Sequence, residues 1–153
     1  MRGTDAQAGF VLDASIVMAW AFSDEDHAIA RVAAERLGDG FALVPWHFYA
    51  EVSNGLATGI RRGRITVDLV RVFEDDLRIL DIRTDAIQPG LTRFADEATA
   101  ASLTAYDASY LLLARDRGLA LATIDQRLAA AARQQGVPLL HSPVPGDKPG
   151  QYR

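Results

Sequence analysis

Short apolar runs alternate with segments of helical pattern along most of the chain, and this alternation restricts the fold more than any other feature. The runs are residues 10–12, 41–44, 79–82, 119–122 and 138–140. An apolar strand with helices before and after it is typical of a parallel sheet that is covered by helices on both faces. The sequence therefore predicts an α/β protein of three layers, α/β/α, with a central, mostly parallel sheet of about five short strands.

Capping and turn residues set the expected limits of the helices. Ser23, followed by a run of acidic residues, is expected to cap the second helix, which Gly38 and Gly40 end. Thr66 and Thr104 are expected to cap two later helices, and Thr84 to start another. The expected helices span residues 15–22, 23–38, 45–63, 66–78, 84 onward, 104–117 and 126–135.

The length of 153 residues suits one domain with a sizeable core, and no repeat or linker divides the chain. Residues 10–141 are expected to form this domain, between a flexible N-terminus (1–9) and a flexible Pro/Gly-rich tail (142–153). The apolar stretch 9–22 is too short to span a bilayer, and residues 1–9 lack the apolar core of a signal peptide. We therefore expect a cytoplasmic protein with no membrane segment.

Composition excludes some kinds of chemistry. The chain has no cysteine, so thiol catalysis, disulfides and thiolate metal sites are impossible. The net charge of −4 argues against generic, charge-driven binding of nucleic acid, but it is compatible with a local basic surface beside an acidic pocket.

Four carboxylates, Asp13, Glu51, Asp107 and Asp125, occupy positions where a folded chain seldom holds an unpaired charge. Two of them end apolar runs, at the strand ends where open α/β sheets place their sites, and two lie on apolar helix stripes. Taken singly, these acids can be explained by structure without any function: strand-end aspartates often cap helices, and Asp107 has capping-box spacing from Thr104. Together they favour a Mg²⁺ or Mn²⁺ site, because without a cation they would repel one another and raise each other's pKa.

Two hydroxyls accompany the carboxylates. Ser15 stands two residues after Asp13, and Thr123 stands two residues before Asp125. Either hydroxyl is suited to orient a carboxylate or to hold a water molecule, and ordinary capping or backbone bonding explains the pattern equally well.

Four segments resemble the motifs of the PIN-domain ribonucleases: Val11 to Ser15, Ala50 to Val52, Leu103 to Tyr110 and Ala122 to Asp125. Within that family the chain is most similar to the VapC toxins of prokaryotic toxin–antitoxin pairs. The resemblance extends over residues 10–140, and its most specific part is Thr-Ala-Tyr-Asp-Ala followed by Thr-x-Asp.

The resemblance implies a Mg²⁺- or Mn²⁺-dependent endoribonuclease that hydrolyses RNA by in-line attack of an activated water, leaving 5′-phosphate and 3′-hydroxyl ends. It also implies a homodimer and a VapB-type antitoxin whose C-terminal segment lies over the active groove. The acidic quartet would be Asp13, Glu51, Asp107 and Asp125, which also hold the metal, with Ser15 and Thr123 as accessory hydroxyls.

An arginine cluster, Arg61, Arg62 and Arg64, ends the helix that carries Glu51. Cations at a helix C-terminus complement the helix dipole, but an acidic pocket also needs nearby cations to hold a polyanion, so we predict weak RNA-backbone contacts here.

Glycine recurs every fourth residue in the same helix, and each interior glycine costs about 1 kcal/mol relative to alanine. Gly55 and Gly59 therefore predict a close approach of another element, and Gly63 a C-cap. Two further groups are given no chemical role: the aromatic residues are expected in the core and interfaces rather than in base stacking, and no histidine has metal-ligand spacing. These residues are Trp20, Phe22, Trp46, Phe48 and Tyr49, and His27, His47 and His141.

Two other readings stay open. A phosphatase of the haloacid-dehalogenase type also begins with a strand-end aspartate, but it would require a second aspartate where Ser15 stands. A non-catalytic module of the same fold would bind RNA or protein without cutting, and retention of all four acids argues against it. A nucleotide-binding domain is disfavoured, because no Gly-rich phosphate loop follows the first strand.

Overall fold

The structure is a computed structural model that describes residues 8–141. The strands are β1 (Gly9–Leu12), β2 (Phe41–Val44), β3 (Ile82–Thr84) and β4 (Ala120–Ala122). The helices are α1 (Ala14–Ala21), α2 (Ala28–Asp39), α3 (Phe48–Arg61), α4 (Val67–Arg78), α5 (Leu91–Ala101), α6 (Ala105–Arg117) and α7 (Gln126–Gln134). Residues 1–7 and the predicted tail lie outside the described residues, so the flexible termini stay a prediction.

The strands form one parallel sheet in the order β3-β2-β1-β4, which confirms the predicted three-layer α/β/α fold. The sheet has four strands, and the fifth predicted segment contributes an isolated parallel bridge between Leu139 and Leu121. Because β1 and β4 are parallel neighbours, the residues that follow them lie at one edge of the sheet. The backbone N–H of Asp13 continues the ladder by donating to the carbonyl of Ala122 over 3.0 Å.

Helix α6 is the most buried helix, and it packs against β1 and β4. Its residues Ala108–Ala114 are all buried, and Tyr110 and Leu111 are fully enclosed. Burial of each large apolar side chain contributes roughly 1.5–3 kcal/mol. Helix α6 is therefore held firmly in place, with its N-terminus at the carboxyl edge of the sheet.

Helix α3 approaches α1 closely through its glycines. A Cβ at Gly55 would lie 2.7 Å from the sulfur of Met18, and one at Gly59 would lie 2.6 Å from the ring of Phe22. The predicted close approach is confirmed, and its partner is α1 with the residue that follows it. Gly63 has a φ of +69° just after the helix, which confirms the predicted C-cap.

Two helix starts differ from prediction. Helix α2 begins at Ala28, because Asp24 and Glu25 form ion pairs with Arg64 instead of a first helical turn after Ser23. The helix that was predicted to start at Thr84 also begins later. Residues 82–84 pair with β2, so that Thr84 ends strand β3.

Helix α5 then starts only at Leu91, after Pro89 and Gly90. Proline disfavours a helical conformation in the residue before it, which accounts for this late start. In contrast, the predicted caps Thr66 and Thr104 are confirmed, since each side chain accepts a hydrogen bond from the backbone three residues on. No helix within residues 8–141 has the length and apolar character needed to cross a membrane.

Candidate active site

Asp13 is the buried centre of the carboxyl edge. Its side chain follows β1 and is 4% exposed. The hydroxyls of Ser15 and Thr123 donate hydrogen bonds to its Oδ2 over 2.5 and 2.7 Å. Burial raises the pKa of Asp13 to about 6; these two bonds lower the pKa in part, and the charges of Glu51 and Asp107 raise it further. The site therefore holds a carboxylate that is costly to ionise without a cation.

The two hydroxyls also tie β1 to the segment after β4. Ser15 Oγ accepts from the backbone N–H of Ile124 over 3.1 Å, and Thr123 Oγ1 accepts from the N–H of Asp125 over 3.0 Å. Asp125 in turn caps α7, because its Oδ1 accepts from the N–H of Leu128 over 2.9 Å. The cap fixes this carboxylate at the same edge as Asp13.

Glu51 lies in the first turn of α3 and is held by two aromatic side chains. The hydroxyl of Tyr110 donates to its Oε1 over 3.1 Å, and the Nδ1 atom of His47 lies against the same oxygen. Burial, followed by the charges of Asp13 and Glu51, raises the pKa of Tyr110 far above its usual range. Tyr110 therefore stays protonated and acts as a donor.

The imidazole of His47 joins Glu51 to α6. Its Nε2 lies 2.5 Å from the hydroxyl of Ser109, and that hydroxyl donates to the carbonyl of Tyr106 over 2.5 Å. Because Ser109 has one hydroxyl proton, its oxygen accepts from an N–H at Nε2. His47 is 3% exposed, and its Nδ1 has no hydrogen-bond partner of good geometry among the described residues.

Asp107 is in the first turn of α6, where its backbone N–H donates to the Thr104 hydroxyl over 3.1 Å. Burial raises the pKa of Asp107; a side-chain hydrogen bond with Thr104 lowers it, the charges of Asp125 and Glu51 raise it, and His47 lowers it. Asp107 thus interacts with acids from two other elements. The charge of Asp13 thus interacts with those of Glu51 and Asp107, and the charge of Asp107 interacts with those of Glu51 and Asp125.

The model of the PIN domain family matches residues 10–134. This chain belongs to the PIN-domain family. A solved structure with the same fold is that of PAE2754 from Pyrobaculum aerophilum; it is 26% identical, with a TM-score of 0.61 over 82% of this chain and 86% of that chain. No curated protein matches the sequence. The PIN domain indicates a nuclease-type hydrolase, whereas assignment to the VapC toxins stays a prediction.

PIN nucleases typically use divalent metals, and the donor set here suits such an ion in chemistry. All four side chains offer hard oxygen ligands, and burial, followed by the charges of neighbouring acids, raises the pKa of Asp13 and Asp107. In their present conformations, however, no three acidic or histidine side chains among residues 8–141 converge on one metal position.

The arginine cluster lies at the far end of α3, about 15 Å along the helix from Glu51 at 1.5 Å per residue. Arg64 forms ion pairs with two acidic side chains over 3.0 and 3.1 Å, and its guanidinium stacks on Phe22. Arg61 donates to Thr58, and Arg62 is exposed. Contact of these residues with RNA stays a prediction.

Sequence reasoning missed His47 and the aromatic side chains around it. One local signal was available, because His47 stands four residues before Glu51 on the same helical face. A second was that Tyr110 shares a stripe with Asp107. Neither signal indicates that the two stripes meet, which depends on how α3 and α6 pack in this PIN domain.

Proposed function

We propose that this PIN domain is a Mg²⁺- or Mn²⁺-dependent endoribonuclease that hydrolyses RNA phosphodiester bonds. The observation that carries the proposal is the buried Asp13, held by two hydroxyls and repelled by other acids at the carboxyl edge of the sheet. A folded protein has little reason to keep such a destabilising group unless a ligand of opposite charge uses it.

Asp13, Glu51, Asp107 and Asp125 would hold the cation. When bound, it would supply Lewis-acid stabilisation of the charge that develops on the phosphate. The protein's own contribution is orientation. Two hydroxyls fix Oδ2 of Asp13, and Tyr110 fixes Oε1 of Glu51. The cap on α7 fixes Oδ1 of Asp125, so three of the four carboxylates each have one oxygen held by a hydrogen bond.

Cleavage of a mixed RNA pool by the purified protein, with and without Mn²⁺, tests the proposal. We expect metal-dependent cuts with 5′-phosphate ends, and their loss in Asp13→Asn. The matched control is Asp39→Asn, because Asp39 is exposed and precedes β2 at the opposite edge of the sheet. Binding of RNA without any cutting would instead favour the non-catalytic module.

We further propose that the protein acts in the cytoplasm as the toxin of a type II toxin–antitoxin pair, that it forms a homodimer, and that a VapB-type antitoxin neutralises it. An apolar groove between α3 and α4 supports a protein partner. Tyr49, Leu56 and Phe73 line the groove, and α4 also presents exposed Leu69 and Val72. A short reading frame directly upstream whose product blocks RNA cleavage would support the toxin role, and light scattering would test the dimer.

A further inference from the structure

Two exposed aromatic rings flank the buried imidazole of His47. The rings of Trp46 and Tyr106 each lie 5.2 Å from it, centroid to centroid, in edge-to-face contacts. Trp46 is 53% exposed and Tyr106 is 57% exposed, whereas His47 is 3% exposed. Trp46 was expected in the core or in an interface, and its exposure places it outside the core of this domain.

These rings lie at the rim of the carboxylate site. Trp46 is in the connection between β2 and α3, next to the histidine that contacts Glu51. Tyr106 directly precedes Asp107 in the first turn of α6. Each ring thus belongs to a residue that is next in sequence to His47 or to Asp107, and each ring contacts the same buried imidazole.

We propose that Trp46 and Tyr106 form a stacking platform for an unpaired base of single-stranded RNA, next to the bond that is cut. This inference rests on the proposed nuclease function and names the form of its substrate. Stacking of a base on an aromatic ring needs an accessible ring face, and bases inside a duplex already stack on each other.

The kind of exposed side chain favours RNA over a protein partner at this place. The large exposed residues elsewhere are mostly aliphatic, such as Leu69 and Val72 on α4 and Leu91 on α5, and aliphatic side chains suit contact with protein. Among residues 8–141, the exposed large residues whose rings contact His47 are Trp46 and Tyr106. Aromatic residues concentrated at the rim of an acidic site match recognition of a base.

Electrostatics leads to the same conclusion. The chain has a net charge of −4, and Arg64, one of three clustered cations, already pairs with Asp24 and Glu25. Charge alone thus supplies little affinity for a polyanion near the carboxylates. A stacking contact adds affinity that depends little on salt, so the platform would compensate for the weak cationic surface.

Tryptophan fluorescence provides a direct test. The chain has two tryptophans, and Trp20 is half-buried, with its indole N–H donating to the carbonyl of Ala30 over 2.8 Å. A Trp20→Phe variant therefore leaves Trp46 as the single tryptophan, which can be excited selectively at a wavelength where tyrosine does not absorb. In an Asp13→Asn background that does not cut, we expect a short mixed-sequence single-stranded RNA to quench this fluorescence, and the same sequence as a perfect duplex to leave it nearly unchanged.

Substitutions separate stacking from mere apolar contact. Trp46→Leu or Tyr106→Leu should lower the affinity for single-stranded RNA by about five-fold to a hundred-fold, without changing its salt dependence, and Trp46→Phe should lose less. Tyr49→Leu is the matched control, because Tyr49 is 49% exposed but lines the groove between α3 and α4. Affinity should be unchanged in that variant.

The outcomes distinguish this inference from the function on which it rests. If the wild type cuts RNA but Trp46→Leu and Tyr106→Leu bind and cut equally well, the platform is wrong and the nuclease stands. The same conclusion follows if duplex and single strand quench alike, or if the leucine variants lose only a protein partner. If the wild type neither binds nor cuts RNA, the proposed function itself fails.

Discussion

Replacement of Asp13 by asparagine is expected to stabilise the protein when no divalent cation is present. Burial raises the pKa of Asp13 from 3.8 to about 6, so ionisation of this side chain above that pH lowers the free energy of unfolding. The difference corresponds to about 3 kcal/mol, as an upper limit. Asparagine keeps an acceptor for Ser15 and Thr123 but brings an amide group that needs a partner. We therefore expect a net gain of about 1–2 kcal/mol.

The size of the stability difference between Asp13→Asn and the wild type depends on pH. Below pH 3.8 Asp13 is protonated in both the folded and the unfolded state. The stability that comes from the neutral, buried carboxyl group is then fully present. As the pH rises through about 6 the folded state takes on the buried charge and this contribution is lost. The advantage of Asp13→Asn should therefore be small near pH 4 and reach its maximum above about pH 7.

Thermal unfolding in a chelating buffer measures the effect. For a chain of this size, a gain of 1–2 kcal/mol raises Tm by about 2–8 °C. Saturating Mn²⁺ should stabilise the wild type by mass action and Asp13→Asn much less. The difference in Tm between the two proteins should therefore narrow or change sign.

Asp125→Asn is the matched control for this experiment, because Asp125 caps α7 and asparagine caps a helix about as well as aspartate. Its stability in the chelating buffer should change little. A wild type that is more stable than Asp13→Asn without metal above pH 7, or a difference that does not vary with pH, would refute the reasoning about the buried charge.

Two further changes test other contacts. Tyr110→Phe removes the hydroxyl that donates to Glu51 over 3.1 Å while it keeps the buried ring, so affinity for Mn²⁺, measured by calorimetry, should fall about ten- to a hundred-fold with little change in folding. Gly59→Ala should destabilise the protein by about 1–3 kcal/mol in urea, because the new Cβ would lie 2.6 Å from Phe22. Gly38→Ala meets nothing within 4 Å in helix α2 and should stabilise by up to about 1 kcal/mol; the opposite order of these two glycine variants would contradict the packing of α3 on α1.

Features set by local sequence were predictable. The caps Thr66 and Thr104 and the close approach at Gly55 and Gly59 follow from short-range sterics and hydrogen bonding, and the structure contains each of them. The layered fold was predictable for a similar reason, because apolar strands between helices have few other ways to be buried.

The errors arise where a distant residue decides the local structure. Ser23 has the sequence of a helix cap, but Arg64, about forty residues away, draws Asp24 and Glu25 into ion pairs. The role of His47 likewise depends on Ser109, which lies on another helix. Such contacts cannot be read from one segment, since the packing that creates them involves the whole domain.

The pairing of β1 with β4 has a consequence for biosynthesis. Thr123 holds Asp13 across a sequence separation of 110 residues. A ribosome-bound chain that has not yet released β4 contains Asp13 but not the hydroxyl that orients it, nor the aspartate that follows. The carboxyl edge therefore forms only after nearly the whole domain has been translated. With the proposed function, an incomplete chain would lack the site that it needs to attack the RNA of the ribosome that is making it.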